Sequence, residues 1–313
     1  MNICLLGNNL TNLVLANILL KKNINIDIIS KTPKPAFKNT IRTIAISNEN
    51  FKFLKNNING FNSLGWPTAK IKIYSDKNKF SELFEFKNGN ENNFFLLKYN
   101  EIYNLVKKNK SINFKKSEYY NFDTLKKSNY DLIINSEQDN PITKKHFKSK
   151  IIQDYKTLSH TAIINHKKID NKVAIQIFTN KGPLAFLPLS NKQTSIVFSN
   201  NSTNFIDKKK LLQIINKYNN KYNINKISEV ESFKIKFLVL RKYIYKNILS
   251  FGDLIHRVHP LAGQGFNMTI RDIKSLSKIL DDNIKIGIND GEIIAQKFQE
   301  SNKHLNFIYG LGI

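Results

Sequence analysis

Apolar positions along the chain fall into two kinds of run. Residues 2–6 (NICLL) form a short continuous apolar stretch that stops at Gly7. From Leu10 to Lys22 the apolar residues return at the spacing of an amphipathic helix, and INIDIIS (24–30) is a second β-rich run. Strand, glycine turn, helix and strand within about thirty residues predict a βαβ unit, right-handed by default. The first turn of such a unit is where a dinucleotide phosphate is held, at the helix start.

The middle of the chain has a different rhythm. TAIINH (161–166), KVAIQIFT (172–179), PLAFLPL (183–189) and QTSIVFS (193–199) are short runs rich in Ile, Val and Phe, broken by polar or Gly-Pro positions. Their spacing of about ten residues predicts an antiparallel meander. Lys208 to Tyr222 reads as a helix, NILSFGD (247–253) as a buried strand ending in Gly-Asp, and Asn267 to Leu280 as another helix. The expected plan is an α/β nucleotide domain interrupted by an antiparallel sheet, with the chain returning to the first domain near residue 245. Residues 1–65, 88–155 and 242–313 then form the nucleotide-binding domain, and 66–87 and 156–241 the inserted one. Trp66-Pro67 marks the crossing, and Tyr243 and Tyr245 read as packing residues. There is no internal repeat and no Gly/Ser-rich or Pro-rich linker.

Composition narrows the function classes. The 313 residues suffice for one large or two modest domains. The net charge of +25 comes from 45 Lys and only 4 Arg, with 45 Asn scattered among them. Nucleic-acid readers lean on Arg for bidentate contacts, so this charge reads as solvated Lys on every face, and no nucleic-acid partner is expected. A single cysteine, Cys4, in an apolar run excludes a disulfide framework and a Cys-based metal site. No stretch reaches the ~18 apolar residues of a spanning helix. The opening segment lacks a basic n-region, and Asn8, Asn9 and Asn12 interrupt any signal-peptide core. The expected location is the cytoplasm, with peripheral contact on the inner face of the cell membrane through the positive charge. His256 and His259 stand three apart with no acid nearer than Asp253, a weak pattern for a metal, and none is assigned.

The sharpest local signal is FGDLIHRVHPLAGQGFNMTIRD (251–272). Three of the twelve glycines (Gly252, Gly263, Gly265) and two of the four arginines (Arg257, Arg271) fall in it. A strand ending in Gly-Asp presents a carboxylate at the carboxyl edge of a sheet, where ribose or ribitol hydroxyls bind. Pro260 followed by Gly263-Gln264-Gly265 at the mouth of a helix exposes backbone N–H groups and a positive dipole end. Such a turn suits an electron-rich ring edge or a phosphate.

GDLIHRVHPLAGQGFNMTIRD resembles the second flavin motif, GDAAHxxxPxxGQGxNxGxxD, of the group A FAD-dependent aromatic monooxygenases. It is most similar to the ring hydroxylases of ubiquinone biosynthesis. IRTIAISNENFKFLKNN (41–57) resembles their R-x-x-A-L-S segment. Lys181-Gly182-Pro183 through Leu189 resembles their G-P-L-A-x-L-P-L strand, which argues against the related reductases and halogenases. The likeness runs in order from residue 2 to about residue 308, and members of the group usually continue with further helices.

The resemblance implies a Rossmann-like FAD-binding domain interrupted by an antiparallel-sheet substrate domain, the p-hydroxybenzoate-hydroxylase-like fold. It implies FAD as cofactor, NAD(P)H as reductant, molecular oxygen as co-substrate and a polyprenylated phenol as the molecule hydroxylated. Other quinone-biosynthesis enzymes are the implied partners. Asp253 would bind the ribityl chain, following Gly252. Pro260, Gly263, Gln264 and Gly265 would lie beside the ring, with Asn267 one turn on, and Arg42 would reach the pyrophosphate. His259 and Pro260 are catalytic by position only.

The departures concern the other half of the cofactor. The fingerprint G-x-G-x-x-G is here Gly7-Asn8-Asn9-Leu10-Thr11-Asn12, so Asn9 stands at a glycine position, and Ser30 replaces the acid that ends the second strand. The group's A-D-G-x-x-S segment is here NSEQDNPIT (135–143), where Glu137 or Asp139 would stand in for the acid. Weaker binding of the adenosine side is therefore expected. The alternative function is a degenerate, non-catalytic member serving as an assembly partner in the quinone pathway.

Overall fold

The chain begins with β1 (Asn2–Leu6), α1 (Leu10–Leu20) and β2 (Asn25–Ser30), and β1 pairs parallel with β2. The computed structural model describes residues 1–31, 40–77, 81–87, 89, 91–117, 121–258 and 264–311. Unlike the amphipathic helix expected, α1 buries Leu10 through Ala16 without a break, together with Ile18 and Leu19. A helix apolar on all sides belongs in the interior, and Thr11 and Asn12 are carried inside with it.

β3 (Thr43–Ser47) leads into α2 (Asn48–Asn57), followed by β4 (Trp66–Thr68), β5 (Lys70–Ser75) and β6 (Ser81–Lys87). β7 (Phe94–Lys98) runs straight into α3 (Tyr99–Lys107). β8 (Asn113–Lys116), α4 (Phe122–Lys126), β9 (Leu132–Asn135) and α5 (Pro141–His146) come next. The long β10 (Lys150–His166) then opens the meander β11 (Val173–Thr179), β12 (Gly182–Ser190) and β13 (Gln193–Asn200). After α6 (Lys208–Tyr218) come β14 (Ile224–Ile227), β15 (Glu231–Leu240), β16 (Ile244–Tyr245), β17 (Ile248–Ser250) and β18 (His256–Arg257). Helices α7 (Gln264–Lys285) and α8 (Gly291–Leu311) follow.

Three sheets result. The first has the order β16-β17-β9-β1-β2-β8, parallel throughout except for the β16–β17 pair. From β1 the chain moves to β2 and β8 on one side, then returns to β9 and β17 on the other. The crevice outside the carboxyl ends of β1 and β9 is thus the point where strand order reverses, the position at which open α/β sheets bind ligands. The second sheet runs β18-β15-β10-β13-β12-β11-β5-β6, with β14 beside β10. Its β10–β13, β13–β12 and β12–β11 pairs are antiparallel, as the meander spacing predicts. β3, β7 and β4 form the third.

Each large sheet has its own core. Ile3, Leu5, Ile28, Ile133 and Leu249 pack with α1 and with Ile270 and Ile273 of α7 in one. Ala162, Ile177, Leu184, Phe186 and Phe198 pack with Leu211 and Ile215 of α6 in the other. Two expected elements end early for local reasons. α6 stops at Tyr218 because the Asn219 side chain accepts from the N–H groups of Lys221 and Tyr222 at 3.2 and 2.8 Å, replacing the next helical turn. The strand at 247–253 stops at Ser250, and Gly252–Leu254 turns as a short 3₁₀ helix with Gly252 at φ +61°.

Asn171 joins the third sheet to the second. Its carbonyl accepts from Trp66 Nε1 at 2.6 Å, and its Nδ2 donates to the Ser190 carbonyl and Thr194 Oγ1, both at 2.9 Å. Its Oδ1 accepts from the Tyr222 hydroxyl at 3.0 Å, and the residue is fully buried. Asn171→Ala keeps the carbonyl that Trp66 reaches but removes the side-chain bonds to Ser190, Thr194 and Tyr222 that hold the residue in place, at a cost of about 1–3 kcal/mol. Thermal unfolding of the variant is expected to show a Tm lower by several degrees, and an unchanged Tm would contradict this role.

Candidate functional site

The turn from β1 into α1 faces the loop after β9 across the crevice. Gly7 has φ +107°, a conformation that side chains rarely adopt. Asn9 caps α1: its Oδ1 accepts from the Asn12 N–H at 3.1 Å, and its Nδ2 donates to Ser136 Oγ at 2.8 Å. Ser136 Oγ donates to the Leu6 carbonyl at 3.2 Å. Asn12 Nδ2 donates to the carbonyls of Leu6 and Gly7, both at 2.8 Å. At the fingerprint's third glycine position, then, a buried asparagine ties helix to strand. Ser30 ends β2 at the same edge, buried, its carbonyl accepting from the Ser117 N–H at 3.2 Å.

Arg42 stands just before β3, and its carbonyl accepts from the Tyr99 N–H at 2.9 Å. Its guanidinium lies 6.0 Å from the ring centre of Tyr99 and 5.1 Å from that of Phe233 in β15. The preceding residues are fixed to β15 as well: Thr40 Oγ1 and the Ile41 N–H donate to the Glu231 carboxylate at 2.6 and 2.9 Å. The Tyr99 phenol lies beside the Leu10 backbone at the start of α1. Burial pushes the Tyr99 phenol upward; Arg42 opposes that shift and the Asp253 carboxylate adds to it. Next to it, the Tyr103 hydroxyl donates to Asn8 Oδ1 at 3.2 Å, and burial raises that phenol to about 12. Arg42, Asp253 and the start of α1, far apart in sequence, thus meet around Tyr99.

β17 delivers Gly252 against α1. A Cβ placed there would meet Thr11 Cγ2 at 2.8 Å, so only glycine lets this turn press onto the helix. Asp253 is exposed at the tip, and its carbonyl accepts from Gln138 Nε2 at 3.1 Å. His256 is committed elsewhere: its Nε2 lies 2.5 Å from Asp272 Oδ2 of α7, with both residues buried. Asn306 Nδ2 reaches the other Asp272 oxygen at 3.4 Å, and Arg271 Nη2 donates to Asn306 Oδ1 at 2.5 Å. Among the described residues no group of three or more His, Cys, Asp and Glu could hold a metal ion.

α7 opens at Gln264, and among the described residues nothing lies within 4 Å of the position a Gly265 side chain would take. Asn267 faces the third sheet instead of open space. Its Oδ1 accepts from the Ser47 N–H and Asn50 Nδ2 at 2.9 and 3.0 Å, and its Nδ2 donates to the Ala45 carbonyl at 2.8 Å. It clamps α7 to the β3–α2 junction, which the cofactor role expected of it did not include. His259, Pro260 and Gly263 lie outside the described residues.

The two halves of this edge differ in how they suit FAD. On the ring and ribityl side, the bare backbone at Gly265, the helix start and the exposed Asp253 fit a flavin. On the phosphate side the fit fails as arranged: a Cβ on Gly7 would meet Glu137 Cγ at 2.5 Å and Asn9 Nδ2 at 3.0 Å. Of the two acids proposed for the third segment, Glu137 packs on the turn, whereas the Asp139 side chain is 98% exposed. Tyr99, Ser136 and Asp272 are the site residues that sequence reasoning missed. Asp272 lies inside the GD…GQG segment, but Tyr99 and Ser136 sit at element ends with no motif around them.

This architecture is that of the FAD-dependent hydroxylases, a Rossmann-like sheet interrupted by an antiparallel one, as in the p-hydroxybenzoate-hydroxylase-like fold. Residues 159–287 match the family described as "FAD binding domain". The chain is 26% identical over 169 residues to the mitochondrial ubiquinone biosynthesis monooxygenase COQ6 of Dictyostelium discoideum, covering 42% of this chain and 34% of that protein. It is 27% identical over 232 residues to the Schizosaccharomyces pombe protein of the same name, covering 58% and 48%. The chain thus spans less than half the length of these curated relatives. Among solved structures, the probable FAD-dependent monooxygenase pqsL of Pseudomonas aeruginosa superposes with TM-score 0.73 at 13% identity, over 99% of this chain and 94% of that one. A variant of Klebsiella pneumoniae HpxO, complexed with FAD, gives 0.75 at 12% identity, over 100% and 88%. Together these matches show a segment similar to FAD-binding domains and, for the whole chain, the fold of the FAD-dependent monooxygenases named.

The His256–Asp272 pair ties β18 to α7. Removing one partner leaves the other buried and uncompensated, a loss of about 3–5 kcal/mol. His256→Leu alone is expected to lower the denaturation midpoint strongly, and the double variant His256→Leu/Asp272→Leu to recover much of it. A single variant as stable as the parent would show that the pair holds nothing.

Proposed function

We propose that the chain is an FAD-dependent monooxygenase that hydroxylates the aromatic ring of a polyprenylated phenol in ubiquinone biosynthesis, with NAD(P)H as reductant. The observation that carries this reading is the placement of the Gly252-Asp253 turn and the Gly265 helix start at one edge of the parallel sheet. The substrate class is supported by the name of the curated relatives, ubiquinone biosynthesis monooxygenase. When bound and reduced, the flavin would supply the activation of molecular oxygen for transfer to an electron-rich ring. This chain's part is to hold and to exclude. Asp253 accepts from ribityl hydroxyls, and the first N–H groups of α7 face the ring edge, where they favour negative charge. The clamp from Asn267 to Ser47 and Asn50 fixes the angle at which α7 presents them.

We assign the protein to the cytoplasm, in peripheral contact with the inner face of the membrane. The contact is supported by Phe84 and Phe86, 62% and 51% exposed on β6 at the edge of the second sheet. No described helix is long and apolar enough to cross a membrane. The other reading, a non-catalytic assembly partner, is favoured by one observation: Glu137 lies on the phosphate turn. Flavin absorbance of the purified protein separates the two. Near one FAD per chain, with NAD(P)H oxidation coupled to hydroxylation of a prenylated phenol, is expected of the enzyme. Colourless protein that takes up no flavin on reconstitution would leave only the assembly role.

Gly265→Val adds a branched side chain to the open face of α7 and is expected to abolish flavin binding while the far-UV circular dichroism stays native. Asp253→Ala removes charge-assisted hydrogen bonds worth about 1.5–3 kcal/mol, a loss of roughly tenfold to a hundredfold in flavin affinity. Fluorescence titration measures both; equal affinity in parent and variants would displace the flavin from this edge.

A further inference from the structure

We propose that the phosphate cradle at the β1–α1 turn is latched by the chain itself, so that an ADP-bearing cofactor binds there only by displacing Glu137. The inference rests on the flavin reading above but concerns the adenylate half alone. Three observations carry it. Glu137 lies in contact with Gly7: its Cγ and Cδ stand 2.5 and 3.2 Å from the point where a Cβ on Gly7 would be. A phosphate that approached this backbone would need the same space. The Glu137 backbone is also held. Its N–H donates to Asn135 Oδ1 at 3.2 Å, and its carbonyl accepts from Thr143 Oγ1 at 2.6 Å and Asn140 Nδ2 at 3.4 Å. Asn140 Nδ2 also donates to Asn135 Oδ1 at 2.7 Å, so the loop cannot retreat and only rotation of the side chain can clear the turn.

A donor at the start of α1 is engaged as well: the Asn12 N–H donates to Asn9 Oδ1 at 3.1 Å. A helix N-terminus favours an anion, and here a carboxylate of the chain lies beside it where a full glycine fingerprint would admit a phosphate. Glu137 thus opposes the cofactor twice, by volume and by like charge. Asn9 reinforces the closure through its bond to Ser136.

The test separates the two halves of the cofactor by calorimetric titration of the full chain with ADP, riboflavin and FAD. Glu137→Ala is expected to tighten ADP and FAD by about tenfold or more and to leave riboflavin unchanged. Glu137→Gln keeps the bulk and loses the charge, so it is expected to give a smaller gain in the same direction. ADP and FAD affinities that are unchanged or weaker in Glu137→Ala would overturn the latch, and weaker ones would make Glu137 a ligand instead. The riboflavin arm answers the flavin reading separately. If riboflavin binds neither chain while ADP still gains in Glu137→Ala, the flavin reading falls and the latch stands.

Discussion

Two hydrogen bonds from Asn12 to the carbonyls of Leu6 and Gly7 hold the start of α1 on the end of β1, in the middle of the parallel sheet. The contacts that build the phosphate side of the candidate site pass through this junction. Thr11, one residue before Asn12, is the surface on which Gly252 rests. Leu10, two before, lies beside Tyr99, and Asn9 reaches across to Ser136. One helix start therefore touches the start of α3 and the loops after β9 and β17. Because α1 is buried on all sides, it has no solvent face toward which it could roll, and the positions of those loops relative to one another are set by its own.

This arrangement explains what sequence made visible. The βαβ unit, the meander and the Gly-Asp strand end were legible because each is a local pattern with its own period or punctuation. The GD…GQG segment was legible for the same reason, since glycine and arginine are scarce elsewhere in a chain drifting toward Lys and Asn. Contacts between elements left no such trace. Tyr99 looks like the first residue of an ordinary helix, and only the fold brings it to Arg42 and Leu10. Asn12 could be seen to depart from a glycine pattern, but that its amide would close on two carbonyls needed the buried geometry. Asn267 shows the converse. It sits inside a recognisable motif, yet its hydrogen bonds go to β3 and α2 and make it a brace.

The charge distribution adds a second constraint. Ion pairs such as Lys52 with Glu91 and Lys208 with Glu229 are exposed, and pairs of that kind contribute little to stability. A net charge of +25 spread in this way acts at long range, raising the encounter rate with anionic ligands without defining where they bind. Binding position is left to a few groups with fixed directions. Arg42 is held between two aromatic rings, and the N-terminal amides of α1 and α7 are fixed by the helices themselves.

A diffuse positive field with a carboxylate in the one place where a phosphate would be expected has a definite consequence. The field favours anionic cofactors generally, so discrimination falls to the local contacts, and these differ between the two halves of the edge. At Gly265 no described residue lies within 4 Å of where a side chain would be. At Gly7 the approach meets a side chain whose backbone is held by three hydrogen bonds. The matched family segment, residues 159–287, carries β11 to β15 of the second sheet together with Gly252 and Gly265, whereas the altered turn at Gly7–Asn12 lies outside it. The part of the chain that keeps the recognisable pattern is thus the part whose geometry is open to a ring. Where the fingerprint glycines are absent, the side chains present are engaged in the fold: Asn9 caps α1 and reaches Ser136, and Asn12 ties α1 to the end of β1.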